Sequence, residues 1–285
     1  DTLNLKDAYY IGYNFGKQIK DKFSSNTIVI GFDGRLSSPI IEKNLIEGLF
    51  DAGANIIRVG LCSSPMLYFS QIKLKADGAI MITGSHNPSN YNGFKILSKE
   101  ESYYGKKIIS LSKIKRIKKL KGQINNYNIK NTYIRELVDA IKDIKENLKV
   151  IWDAGNGSTG ELLTKLVKHI PGKHVLINSE IDGTFPAHHP DPTEEKNLKQ
   201  IKNKIAEENA DLGIAFDGDG DRIGVVDSKG NLISGDKLLL LYATDLLRFQ
   251  KGASIIGDVK ASNIIFDEID NLGGKPIMWK TGHSW

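Results

Sequence analysis

Short apolar, β-branched runs alternate along the chain with stretches whose apolar positions recur at helical spacing. The first run is Thr27-Ile-Val-Ile-Gly-Phe32. A helix is predicted from about Ser38 to Gly53, with Pro39 in its first turn and Gly53 at its end. Ile56-Ile-Arg-Val59 and Ala79-Ile-Met-Ile82 follow as strands, separated by a helical stretch over Met66–Leu74. The same order returns with Lys149-Val-Ile-Trp152, a helix near Thr159–His169, and His174-Val-Leu-Ile177. A helix near Glu194–Asn209 then leads to Leu212-Gly-Ile-Ala-Phe216. A third round starts at Ser254-Ile-Ile-Gly257 and runs through a helix near Ser262–Asn271 to Pro276-Ile-Met-Trp279. This alternation predicts an α/β protein built from tandem similar α/β domains with mixed, mostly parallel sheets.

The first strand of each round ends in an aspartate, Asp33, Asp153 or Asp258, followed by a small or polar loop. Self-similarity at roughly a hundred residues suggests units 1–132, 133–233 and 234–285. Helices over Tyr133–Asn147 and Asp236–Gln250 would enter the second and third. In the first two units the third strand delivers the most polar loop. The third unit stops at Trp285, before such a strand, so the natural chain is expected to continue. An apolar face of that unit should then be left uncovered.

The 285 residues are 40% hydrophobic and 26% charged, which fits a globular protein and excludes a collagen, a coiled coil or a disordered chain. No apolar run approaches the ~20 residues that span a bilayer, and no secretory pattern opens the chain. One cysteine, Cys62, forms no internal pair and fits a reducing compartment as a small apolar residue. The net charge of +5 is uneven: Lys99–Lys130 alone carries +8. Its core, KKIISLSKIKRIKKLKG, reads as an amphipathic helix with a solvated basic face. It lacks the interleaved aromatics of a nucleic-acid stacking surface.

Two loops carry the candidate chemistry. Thr83-Gly-Ser-His-Asn-Pro-Ser-Asn-Tyr-Asn-Gly-Phe-Lys95 places Ser85 just past a buried strand end, where ligands sit in open α/β sheets. Turn chemistry explains its Gly, Asn and Pro, but not Ser85 and His86 together with Lys95. Asp217-Gly-Asp-Gly-Asp-Arg222 sets aspartates at alternating positions with glycines that let the backbone curl. An all-oxygen set suits Mg²⁺, Mn²⁺ or Ca²⁺. An EF-hand is excluded, because its sixth and twelfth positions would be Arg222 and Ser228. Arg222 and Arg35 are candidates for holding a phosphate. His188-His189, within Asp182-Gly-Thr-Phe-Pro-Ala-His-His-Pro-Asp-Pro-Thr193, reads as part of a rigid connecting loop rather than a metal site. Lys260 and Lys280-Thr-Gly-His-Ser284 follow third-unit strands at the same sheet edge.

Together, TGSHNP with NYNGFK, DGDGDR, DGTFPAHHPDP and WKTGHS resemble, in order, four motifs of the α-D-phosphohexomutase superfamily. The resemblance is nearest to its bacterial phosphomannomutase/phosphoglucomutase branch and covers essentially the whole chain. It implies phosphoglucomutase-like domains 1, 2 and part of 3, with the fourth, phosphate-binding domain absent. The family's GExSGH loop and its early arginine loop are also missing, so this stretch should be impaired or inactive alone.

The resemblance implies a phosphoryl group carried on Ser85, with Mg²⁺ held by Ser85, Asp217, Asp219 and Asp221. Arg222 would stabilise the transferring group, and Lys95 or His86 would serve as base, a lysine base requiring a lowered pKa. Arg35, Lys260, Thr281, Gly282 and His283 would contact substrate. The reaction implied is reversible transfer between the 1 and 6 positions of a hexose phosphate through a hexose 1,6-bisphosphate. Glucose and mannose are favoured over glucosamine. The expected setting is a cytoplasmic monomer without nucleic-acid or membrane partners. The alternatives are a Mg-dependent phosphatase using Asp217 as nucleophile, or a non-catalytic sugar-phosphate or nucleic-acid binding module.

Overall fold

The computed structural model describes residues 4–113, 117–143 and 145–282. Helix α1 (Leu5–Lys22) opens the chain, and Asn4 caps it reciprocally with Asp7. There follow β1 (Thr27–Phe32), α2 (Ser38–Asp51), β2 (Asn55–Leu61), α3 (Ser64–Lys73) and β3 (Gly78–Ile82). β4 (Phe94–Ser98) and β5 (Ser102–Tyr103) turn back, then come α4 (Lys106–Leu111) and β6 (Gln123–Asn126). The sheet order is β5-β4-β3-β1-β2-β6, with β3, β1, β2 and β6 parallel and the other two antiparallel. Every residue of β3 is buried, which is why its run is continuously apolar rather than alternating. Phe15, Ile28, Leu45 and Ile80 form a core cluster on one side of the sheet, and Val29, Cys62, Leu67 and Met81 form one on the other. α1 and α2 approach so closely that a Cβ on Gly48 would lie 2.0 Å from the Tyr9 carbonyl oxygen. Burial pushes the Cys62 thiol up to about 12, so it behaves as an unreactive apolar group.

α5 (Lys130–Ala140) leads to β7 (Lys149–Asp153), α6 (Gly160–Leu166) and β8 (Lys173–Ile177). α7 (Lys199–Glu208), β9 (Leu212–Phe216), β10 (Ile223–Asp227) and β11 (Leu232–Ile233) complete a second sheet, ordered β11-β10-β9-β7-β8. Here β9, β7 and β8 are parallel, and β10 and β11 run antiparallel. α8 (Gly235–Phe249), β12 (Ser254–Asp258), α9 (Asn263–Asn271) and β13 (Lys275–Trp279) form a smaller unit around a parallel strand pair. No helix among the described residues is long and apolar enough to cross a membrane.

The α/β architecture with mixed, mostly parallel sheets is as expected. So is the exposed apolar face of the last unit, where Ile256, Ile277 and Trp279 share the side of the strand pair turned away from α9. Three helix expectations change. The basic segment is not one amphipathic helix, because α4 ends at Leu111. Beyond it, Leu120 N–H donates to the Asp51 carbonyl, Gly122 N–H to Phe50, and the Lys118 amide to the Tyr13 hydroxyl. Neighbouring elements satisfy the backbone there, so helical bonding is not needed. Its lysines are partly neutralised too: Lys107 pairs with Glu101, Lys119 with Asp51 and Lys130 with Glu161. α5 stops at Ala140 instead of reaching Asn147. The helix expected to end at His169 tightens into a 3₁₀ turn over Val167–His169.

Candidate active site

The Thr83–Lys95 loop leaves the C-terminal end of β3, beside Asp33 at the end of β1. Ser85 has φ of 50°, in the left-handed region that costs a non-glycine residue free energy. A chain of hydrogen bonds holds it there. Ser85 N–H donates to Thr83 Oγ1 at 2.7 Å, and Thr83 Oγ1 donates to Asp33 Oδ2 at 2.7 Å.

Arg35 organises the rest of the loop from inside. It is 1% exposed. Its Nε donates to Asp33 at 3.0 Å, and its two terminal nitrogens donate to the carbonyls of Pro88, Tyr91, Ser85 and Asn87 at 2.5–2.9 Å. All the N–H donors of a guanidinium are thereby used. Its Cζ also lies 5.1 Å from the centre of the Phe185 ring, in a loop of the second unit. Arg35 thus has no donor left for a substrate phosphate, and its expected contact with substrate is corrected to a role in building the loop.

β9 delivers the aspartates from the other side. Asp217 Oδ1 receives the amides of Asp221 and Arg222 at 3.0 and 3.1 Å, which curls the loop. Ser85 Oγ donates to Asp217 Oδ2 at 2.9 Å across the two units. A Cβ on Gly218 would come within 2.6 Å of the Ser85 carbonyl oxygen, so glycine is required where the loops meet. Asp219 Oδ2 accepts from Lys95 Nζ at 2.5 Å and from the Ser64 hydroxyl, and Asp221 Oδ2 accepts from Lys95 at 2.6 Å. The Ser64 amide also donates to the Asp219 carbonyl at 2.8 Å.

One carboxylate oxygen from each of Asp217, Asp219 and Asp221 lies within 4.8 Å of the others. Asp219 Oδ1 and Asp221 Oδ1 are buried without any hydrogen-bond partner. Unpaired buried carboxylate oxygens are costly, and a hard divalent cation would satisfy them. Burial and the neighbouring aspartates push the Asp217 carboxyl well above its ordinary value. Burial also opposes ionisation of Asp219, but Lys95 and Ser64 hold it below the ordinary value. Burial pulls the Lys95 ammonium down, and Asp219 and Asp221 more than offset that, so its pKa is raised.

Several residues had no advance signal. Ser64 merely precedes the predicted Met66–Leu74 helix, and Asp191 is merely one residue of a loop rich in proline. His86 Nδ1 lies 2.6 Å from Asp191 Oδ2. His188 Nε2 meets Asp153 Oδ2 at 2.8 Å while its Nδ1 faces the His189 carbonyl at 3.0 Å. Both ring nitrogens of His188 are occupied, so it braces the loop. Burial lowers its pKa, but Asp153 more than compensates and the net shift is upward. The pair's stabilisation is therefore full below about pH 6.5, the ordinary histidine value, and is lost as pH rises through the raised folded value. Melting temperatures should show a larger deficit for His188→Gln at pH 5.5 than at pH 8.5. An equal deficit at both would contradict this.

Arg222 is exposed beside the aspartates. Lys260, Thr281 and Gly282 gather separately at the C-terminal edge of β12 and β13. There Thr281 Oγ1 donates to Asp258 at 2.8 Å, and Asp258, Trp279, Lys280 and Gly282 line an open depression of about 300 Å³. His283 lies outside the described residues.

Family models match the chain in order. Phosphoglucomutase/phosphomannomutase alpha/beta/alpha domain I covers residues 1–123, domain II residues 131–230 and domain III residues 234–285. The chain is 42% identical to a phosphomannomutase/phosphoglucomutase of Pseudomonas syringae, over 100% of this chain and 61% of that protein. It is 38% identical to a phosphoglucomutase of Neisseria meningitidis serogroup B, over 100% of this chain and 62% of that protein. A crystal structure of a phosphoglucomutase/phosphomannomutase family protein from Burkholderia thailandensis superimposes with a TM-score of 0.91 at 38% identity, over 99% of this chain and 64% of that one. The chain spans about three fifths of the length of these relatives. With its serine loop and aspartate loop meeting between two α/β units, the chain belongs to the phosphoglucomutase/phosphomannomutase family.

Proposed function

We propose that the natural protein moves a phosphoryl group between the 1 and 6 positions of a hexose phosphate, glucose or mannose, using Ser85 as the carrier. The observation that carries this reading is the meeting of Ser85 Oγ with Asp217, inside a cluster of aspartates that holds unpaired oxygens. We assign units 1–132, 133–233 and 234–285 to serine loop, metal loop and sugar contact.

Asp217, Asp219 and Asp221, with Ser85, fit Mg²⁺ by their all-oxygen chemistry. When bound, Mg²⁺ would neutralise charge on the transferring group. In the first transfer the Ser85 Oγ–P bond breaks and a substrate O–P bond forms. The substrate hydroxyl gives up its proton to a base, and the departing Ser85 oxygen takes up a proton to become the free hydroxyl. The hexose 1,6-bisphosphate turns end for end; the Ser85 hydroxyl gives up its proton as it takes the other phosphoryl group, and the departing sugar oxygen takes up a proton.

His86 is the better base of the two. Lys95, held between the carboxylates of Asp219 and Asp221, supplies positive charge. Arg222, exposed next to the aspartates, is free to meet phosphoryl oxygens. Lys260, Thr281 and Gly282 would receive the sugar end, and His283 is assigned there by motif position alone. The buried thiol of Cys62 accords with action in the cytoplasm, and we read the protein as a monomer.

The metal assignment is testable on this chain alone. Asp219→Ala should weaken Mg²⁺ or Mn²⁺ binding roughly 100-fold or more, beyond the loss typical of a residue that only supports a ligand. Titration calorimetry measures it, and an unchanged isotherm would refute the assignment.

A further inference from the structure

We infer that Asp191 is a positioning residue for His86: a loop of the second unit grips the imidazole at Nδ1 and leaves Nε2 as the ring atom offered to substrate. The kinetic part of this inference rests on the phosphoryl-transfer reading above, and the structural part does not.

The grip is built at both ends. Asp191 Oδ1 accepts from the Thr193 amide at 3.1 Å and from the Thr193 hydroxyl at 2.7 Å. Asn197 Nδ2 donates to the Asp191 carbonyl at 2.9 Å. Pro190 and Pro192 flank the residue and restrict its backbone. The carboxylate therefore has one oxygen committed to its own loop. The other, Oδ2, lies 2.6 Å from His86 Nδ1, in the first unit. The Asp191 side chain is 10% exposed, against 37% for His86. This differs from a surface ion pair, whose two flexible partners gain little from meeting.

Chemistry then fixes the tautomer. An ionised carboxylate only accepts hydrogen bonds, so Nδ1 must carry a hydrogen. That holds for the neutral ring and for the imidazolium alike, and the argument does not depend on where His86 titrates. Among the described residues Nε2 has no hydrogen-bond partner. A ring held at one nitrogen by a buried carboxylate and open at the other is the arrangement that orients a histidine for proton transfer. Because the two residues lie on different units, the ring is set only when the serine loop and the second-unit loop that carries Asp191 are docked.

The test is the tautomer itself. Long-range ¹H–¹⁵N correlation spectra of the ring-labelled chain, recorded where the neutral form prevails, should show His86 as the Nδ1–H tautomer. Asp191→Asn should move it toward Nε2–H, because the amide oxygen stays on Thr193 and turns the NH₂ group toward Nδ1. An Nε2–H ring in the unmodified chain overturns the inference, as does an unchanged tautomer in Asp191→Asn. If that variant fails to fold, the unmodified chain's spectrum decides alone.

In the natural full-length protein, Asp191→Asn should lower kcat about 10- to 100-fold with KM little changed. A raised KM with unchanged kcat would assign Asp191 to loop shape and overturn the positioning role. Absence of mutase activity in the unmodified protein would refute the proposed function, and the tautomer result would still stand or fall separately.

Discussion

Ser85→Ala should abolish phosphoryl turnover in the natural full-length protein while leaving it folded. The side chain makes one hydrogen bond, to Asp217. The backbone contacts that shape the loop, from Ser85 N–H to Thr83 and from Arg35 to the Ser85 carbonyl, do not involve the hydroxyl. The loss of stability should be about 1 kcal/mol, typical of a single hydrogen bond. The loss of activity should be on the order of 10⁴-fold or more, because no other group takes over when a covalent carrier is removed. A coupled mutase assay and a thermal melt on the same preparation separate the two effects. Retained near-native turnover would remove Ser85 from the mechanism.

Arg35→Met should be the most damaging substitution for stability, costing about 3–5 kcal/mol. It leaves Asp33 buried without its counter-charge and strips the donors from four loop carbonyls. Arg35→Lys should recover little, since a lysine ammonium cannot reproduce a planar fork of five donors. Urea unfolding would report the loss, and proteolytic nicking within Thr83–Lys95 would report the loosened loop. Were Arg35 a substrate ligand, Arg35→Lys would instead raise KM at unchanged stability.

The sequence was most informative where one physical constraint dominated. Strands buried on both faces, such as Gly78–Ile82, must be continuously apolar. Three aspartates within five residues are hard to explain without a cation, and their oxygens do converge. Legibility ended where a contact joined distant residues. Nothing local in Arg35 distinguishes a guanidinium that binds phosphate from one consumed by five partners of its own loops. Asp191 and His86 are 105 residues apart, and neither neighbourhood advertises the other. The basic segment misled because its Ile/Leu spacing suited a helix, whereas α2, β2 and Tyr13 take its backbone hydrogen bonds.

The most direct test is to supply the natural full-length protein with Mg²⁺ and phosphate-labelled glucose 1,6-bisphosphate and to map the labelled peptide. The account predicts label on Ser85, in the peptide spanning Thr83–Lys95, stable to hydroxylamine. Label on Asp217, released by hydroxylamine, would contradict it and make the protein an aspartyl-phosphate enzyme.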